Sequence, residues 1–161
     1  VLSLRQQTDC HYACVTIALL IKVSDGLVLA SDSATTLMMP MPEGTQAVGN
    51  IYNNANKVFN LHKGMPIGAM TWGLGNIGPA SVATLAKDLR RRFHGEDATN
   101  PDWAVNPAAY SVGELASRAR EFLTIDRFEK VQAAAEQAGV PTPILGFLVA
   151  GYSSEEDQPR A

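Results

Sequence analysis

One stretch of this chain gathers side chains able to do hydroxyl chemistry. From Thr16 to Thr36 it reads TIALLIKVSDGLVLASDSATT and ends on a carboxylate, Asp32, with the hydroxyls of Ser33, Thr35 and Thr36 around it. Runs rich in Val, Ile and Leu flank an Asp25-Gly26 pair, which predicts strands near 15–23 and 26–33 joined by a tight turn at that pair. In an antiparallel pair with a short turn, the end of the second strand lies beside the start of the first. Asp32 is therefore expected close to Thr16, and a Thr at the head of a strand with a carboxylate beside it is a candidate for hydroxyl chemistry.

A second candidate is Gly73-Leu74-Gly75-Asn76-Ile77-Gly78. Its spacing matches the G-x-G-x-x-G of dinucleotide-binding domains, and it follows an expected strand and precedes an expected helix. A dinucleotide unit then needs a second parallel strand ending in an acid. Here the helix runs instead into Gly95-Glu96-Asp97 and a Pro-containing loop. The other use of such a junction is to bring backbone close to a substrate, with N–H groups placed to stabilise an oxyanion. Tight strand–helix packing alone also accounts for a glycine such as Gly78.

The elements that must position these groups follow from the 161 residues. That length fits one domain or a piece of one. With 46% hydrophobic and 18% charged residues, the chain can bury a packed core. A net charge of −3, with Arg90-Arg91-Arg92 as the one basic run, speaks against nucleic-acid binding; that run suits the last turn of a helix. Two cysteines, Cys10 and Cys14, make no disulfide framework, so a reducing compartment is the default. With His11 between them they are weak metal ligands, and neither a metal nor a cofactor is expected. The apolar run from Ala13 to Ile21 is too short to span a membrane and lacks the pattern of a signal peptide. The expectation is a cytoplasmic protein with no membrane partner.

Along the chain, residues 1–14 read as a polar leader. The segment 37–55, with Pro40, Pro42, Gly44 and Gly49, reads as a surface loop. Residues 57–61 and 65–72 read as a second hairpin turning at His62-Lys63-Gly64. A helix is expected to open at Pro79 and stop at Gly95, burying Val82, Leu85, Ala86, Leu89 and Phe93. A longer helix should start at Ser111 with Glu114 completing a capping box, and end at Gly139 and Pro141. An apolar strand spans 144–152. Strand pairs followed by helices and a strand make an α+β fold with no alternating parallel sheet. A Ser-His-Asp hydrolase does not fit, because His11, His62 and His94 fall in a leader, a turn and a helix end, and no G-x-S-x-G elbow is present.

These pieces together resemble the proteasome-type N-terminal-nucleophile hydrolases, the β-subunit-like threonine peptidases. The likeness rests on Thr16, Asp25-Gly26, Ala30-Ser31-Asp32-Ser33-Ala34-Thr35-Thr36, Asn56-Lys57 and Trp72-Gly73, in that order, and runs over about residues 15–152. It implies a four-layer αββα sandwich, incomplete in this chain, with residues 15–161 as the N-terminal part of a single domain. It implies peptide-bond hydrolysis with Thr16 as nucleophile, Lys57 as electrostatic activator, Asp32 orienting Lys57, and the Gly73 N–H as oxyanion donor. Thr36 and Gly73 would hold an extended peptide, and Thr71 would line the pocket for its side chain. The implied substrate is a peptide or unfolded protein, and the implied assembly a homo-oligomeric ring, with an ATPase as a possible partner.

The chain also departs from the family pattern. Residues 1–15 precede Thr16, so its nitrogen is an amide unless they are removed. Val15 stands where the family has Gly, and a β-branched residue crowds the carbonyl to be attacked. A register shifted by one residue would put Val15 at the nucleophile position; the ungapped register puts Thr16 there. Ala34 replaces the usual Arg after the Asp-Ser pair. The family's closing strands and helices, which carry the Ser and Asp of its proton network, are expected beyond residue 161. Two alternatives therefore stand beside the peptidase: a catalytically silent, α-type-like subunit of the same fold, and a nucleotide-binding protein using Gly73 to Gly78.

Overall fold

The computed structural model describes residues 16–41 and 46–161. The expected leader, with Cys10, His11, Cys14 and Val15, lies outside the described residues. Strands β1 (Ala18–Val23) and β2 (Gly26–Ser31) form the antiparallel hairpin read from the sequence. Its tip is one residue earlier than expected. Val23 pairs with Gly26, so Ser24 and Asp25 make the turn and Gly26 belongs to the ladder. Neither turn residue has a positive φ, so the mirror-image turn that Asp-Gly favours is not used.

The segment expected to be a loop is instead largely a second antiparallel hairpin, β3 (Thr35–Pro40) with β4 (Gln46–Tyr52). Its loop-like composition has a structural use. The register shifts between Leu37, paired to Asn50, and Met38, paired to Val48, so Gly49 is the extra residue of a bulge. Pro40 closes β3, where its missing N–H does least damage to a ladder.

Strands β5 (Val58–Asn60), β6 (Ile67–Gly73) and β9 (Leu145–Gly151) form one antiparallel sheet in the order β5-β6-β9. The His62-Lys63-Gly64 turn joins β5 to β6 as expected, with Gly64 at φ +81°. Ile67 and Ala69 of β6 join the main core, while Gly68, pointing the opposite way, meets Leu29 of β2. The β1–β2 hairpin thus lies over β5 and β6 on one face, and helices cover the other.

Between sheet and first helix sits a short hairpin that the sequence reading lacked, β7 (Asn76–Ile77) with β8 (Ala80–Ser81). Gly78 takes φ +59° in its two-residue turn and Pro79 follows. Helix α1 (Val82–Phe93) therefore starts three residues beyond Pro79, capped by Ser81, whose hydroxyl accepts the Thr84 N–H. Pro79 serves the turn, because the chain must reverse before the helix can begin. The five apolar residues expected on the inner face of α1 are all buried. Arg90, Arg91 and Arg92 occupy its last turn, and Gly95 at φ +73° ends it.

The second helical run comprises α2 (Val112–Arg120), a π-helical stretch Glu121–Phe128, and α3 (Glu129–Gln137). Ser111 caps it by accepting the Glu114 N–H. The Glu114 carboxylate binds Arg118 at 2.6 Å, one turn on, so it does not serve the expected capping box. Leu115, Ala119, Phe122 and Phe128 are buried in the common core with Leu61, Leu89 and Phe93. Every described sheet is antiparallel, so the class is mixed α+β.

His94 at the end of α1 stacks on His62, ring centroids 3.9 Å apart, and its Nε2 accepts the Lys63 N–H at 2.9 Å. Burial first, then the neighbouring His62 and the charges of Arg90 and Lys63, hold His94 below its ordinary value of 6.5, against the pull of Glu96. A depressed folded-state pKa means that this contribution to stability is complete above about pH 6.5 and is lost as pH falls through the lower folded value. Urea unfolding of the wild type should show a fall in stability between about pH 7.5 and pH 5, and His94→Gln, which keeps an acceptor without the charge, should flatten it. Phe93→Ala, which empties a fully buried site, should cost about 3–5 kcal/mol in the same measurement.

Candidate active site

Thr16 stands two residues before β1, and its side chain is held by position as much as by contact. The Ile17 N–H donates to Asp32 Oδ1 at 3.0 Å, while the Ile17 carbonyl accepts the Asp32 N–H at 3.1 Å and the Ser31 hydroxyl at 2.9 Å. The start of the first strand is therefore locked to the end of the second, as the hairpin register requires.

Lys57 arrives from the segment just before β5. Its ammonium donates to Asp32 Oδ1 at 3.1 Å, to Asp32 Oδ2 at 3.0 Å and to Thr16 Oγ1 at 3.3 Å. With the Lys57 side chain only 11% exposed and Asp32 22% exposed, water screens this pair weakly. Burial pulls the Asp32 carboxyl upward. The hydrogen bond from Lys57, those from the Ile17 and Ala34 N–H groups, and the Lys57 charge outweigh it and leave the group below its ordinary value. Thr16 and Asp32, far from Lys57 in sequence, thus meet at its ammonium.

Lys57 and Thr16 open onto a cleft of about 430 Å³ that is also lined by Thr36, Thr71 and Gly73. Thr71 is buried and its hydroxyl donates to the Gly146 carbonyl of β9 at 2.9 Å, which fixes its rotamer. Gly73 has φ +81°, and a Cβ there would collide with the Ile144 carbonyl, which accepts the Leu74 N–H at 2.8 Å. No other residue fits this backbone. The Thr71 N–H donates to the Lys57 carbonyl at 2.9 Å. Strand alternation turns the Gly73 N–H toward that same edge of β6, which at this height borders the cleft.

All six residues expected in a site are therefore brought together: five line the cleft, and Asp32 sits behind Lys57. Residues that sequence reading missed come from the unrecognised hairpin and the start of α1, among them Tyr52, Asn54 and Ala83. Strand alternation through the Gly49 bulge was the signal that would have found Tyr52; Asn54 lies beyond β4, where no periodicity points to it. The Gly73–Gly78 run crosses from β6 into the β7–β8 hairpin, with α1 beginning only after Ser81 and no parallel strand following. That order differs from the strand-to-glycine-to-helix junction, followed by a parallel strand, of a dinucleotide-binding unit. Among the described residues no group of three or more His, Cys, Asp or Glu gathers to hold a metal, and no helix is long and apolar enough to cross a membrane.

No family model, curated protein or solved structure matches this chain, so the chemistry is read from the geometry. Asp32→Asn keeps an acceptor for Ile17 but leaves the Lys57 ammonium without its counter-charge. It should cost about 1–3 kcal/mol at neutral pH, between an exposed pair and a fully buried one because this pair retains some solvent. Since the folded-state pKa of Asp32 is depressed, the stabilisation is complete above about pH 4 and is lost as pH falls further. The gap between wild type and variant in urea titrations should accordingly close in acid.

Proposed function

We propose that the chain is a threonine-type peptidase whose nucleophile is the Thr16 hydroxyl, freed for work by removal of the residues before it. The observation that carries this reading is the Lys57 ammonium, bonded at once to both oxygens of Asp32 and to Thr16 Oγ1. Because the ammonium donates to Oγ1, the hydroxyl proton must point elsewhere and is available to a base. The positive charge also favours the developing alkoxide.

Once the Val15–Thr16 bond is hydrolysed, the Thr16 α-amine, with an ordinary pKa of about 8, is that base, directly or through a water. Oγ1 bonds to the carbonyl carbon of a substrate peptide, and the hydroxyl proton passes to the amine. The tetrahedral oxyanion falls to the Gly73 N–H. Collapse breaks the C–N bond, the departing amine takes the proton, and a water hydrolyses the resulting ester. Thr36 and Gly73 would hold the peptide as an added strand, with Thr71 at the base of its side-chain pocket. Among the described residues Lys57 is the only charged one lining the cleft, which suits a neutral side chain.

The four-layer sandwich of the proteasome-type family belongs to the same reading. A hairpin laid on a sheet whose other face carries helices would make up three of its four layers. Ile17, Leu19, Ile21, Val23 and Val28 remain exposed on the hairpin, where the fourth would pack. A ring of identical subunits, served by an ATPase, is the assembly that this family implies. A second reading, a silent structural subunit, is favoured by one fact: in the sequence as given, Thr16 is joined to Val15.

The test uses the full chain, folded and then cut before Thr16 through an engineered protease site. A peptide vinyl sulfone should add to Thr16, as read by mass spectrometry of the tryptic peptides. Thr16→Ala should abolish the adduct, and Lys57→Ala should slow it by about a hundredfold to a thousandfold. A cut, folded chain that neither reacts nor cleaves peptides would leave the silent subunit.

A further inference from the structure

We infer that Ser31 and Ser33 are positioning residues that set the distance between Thr16 and Lys57 from the two sides of Asp32, an inference that rests on the peptidase reading. The Ser31 hydroxyl donates to the Ile17 carbonyl at 2.9 Å, one peptide from the nucleophile. The Ser33 hydroxyl donates to the Asn53 carbonyl at 2.8 Å, and the Ser33 carbonyl accepts the Ala55 N–H at 2.9 Å, two residues before Lys57. Asp32 between them binds the Ile17 N–H and the Lys57 ammonium. Ser31-Asp32-Ser33 is thus a three-residue bracket: one hydroxyl grips the strand that carries the hydroxyl, the other the loop that carries the ammonium.

The two grips differ in what they restrain. Ordinary ladder bonds hold β1 to β2 only from Ala18 onward, so the backbone at Thr16 depends on the bonds made at Ile17. The 53–57 segment lies outside the strands, and the Ser33 bonds tie it to the end of β2. Neither serine lines the cleft, so neither is placed to touch substrate. Their loss should change the reaction rate at Thr16 and leave substrate binding in place. A nucleophile displaced by a fraction of an ångström loses about tenfold to a hundredfold in rate.

The test measures labelling and peptide cleavage by the full chain cut before Thr16, comparing wild type with Ser31→Ala, Ser33→Ala and the double variant. The expected result is a kcat lowered by about tenfold or more for each, with KM and thermal midpoint close to wild type and the rate restored by Ser31→Thr and Ser33→Thr. Ser24→Ala, at the far tip of the hairpin, should keep the wild-type rate. Alanine variants that match wild type, or Thr variants that fold yet fail to restore the rate, overturn the bracket while leaving the peptidase reading intact. A wild type that never reacts at Thr16 overturns the peptidase reading, and the bracket with it. Should an alanine variant unfold, the Thr variant of the same position decides.

Discussion

The ion pair between Lys57 and Asp32 holds this site together, and it is worth asking why it exists. Desolvating an ammonium and a carboxylate costs several kcal/mol per ion unless geometry and further hydrogen bonds offset it. Here Asp32 receives two backbone N–H groups besides the ammonium, one on each oxygen. Lys57 spends part of its remaining donor capacity on Thr16. A pair kept only for stability has no need of that third partner. The arrangement places a positive charge 3.3 Å from a hydroxyl, where it does more for an alkoxide than for an alcohol.

The surrounding fold reads as a means of keeping that geometry. Thr16 and Asp32 are neighbours because a short turn makes β1 and β2 antiparallel. Lys57 reaches them because the hairpin lies across β5 and β6. Gly73 borders the same cleft because β6 runs beside the segment that carries Lys57. The core of α1, α2 and the π-helical stretch lies on the opposite face of the sheet from the hairpin, and the start of α1 closes one side of the cleft with Val82 and Ala83.

How much of this was legible beforehand depended on the range of the interaction. The β1–β2 hairpin, the buried face of α1 and the Ser111 cap are local, and periodicity or a single hydroxyl reveals each. The convergence of Thr16 and Asp32 followed from one register. Lys57 was different: nothing in composition or spacing pointed to it, and only the resemblance did. The β3–β4 hairpin was hidden by Pro40 and Gly49, residues that punctuate loops but here end a strand and absorb a bulge. Pro79 misled for a related reason, since a proline near a helix start also suits a tight turn, and the local sequence does not say which.

The central claim is that Thr16 Oγ1 and the Gly73 N–H face one reacting carbonyl under the charge of Lys57. A crystal structure of the protein, cut before Thr16 and treated with a peptide boronate, tests it most directly. Boron bonded to the Thr16 oxygen, with a boronate oxygen on the Gly73 N–H and Lys57 still between Asp32 and Thr16, is the expected result. Boron bound elsewhere, or a Lys57 ammonium swung away from Thr16 into solvent, would contradict it.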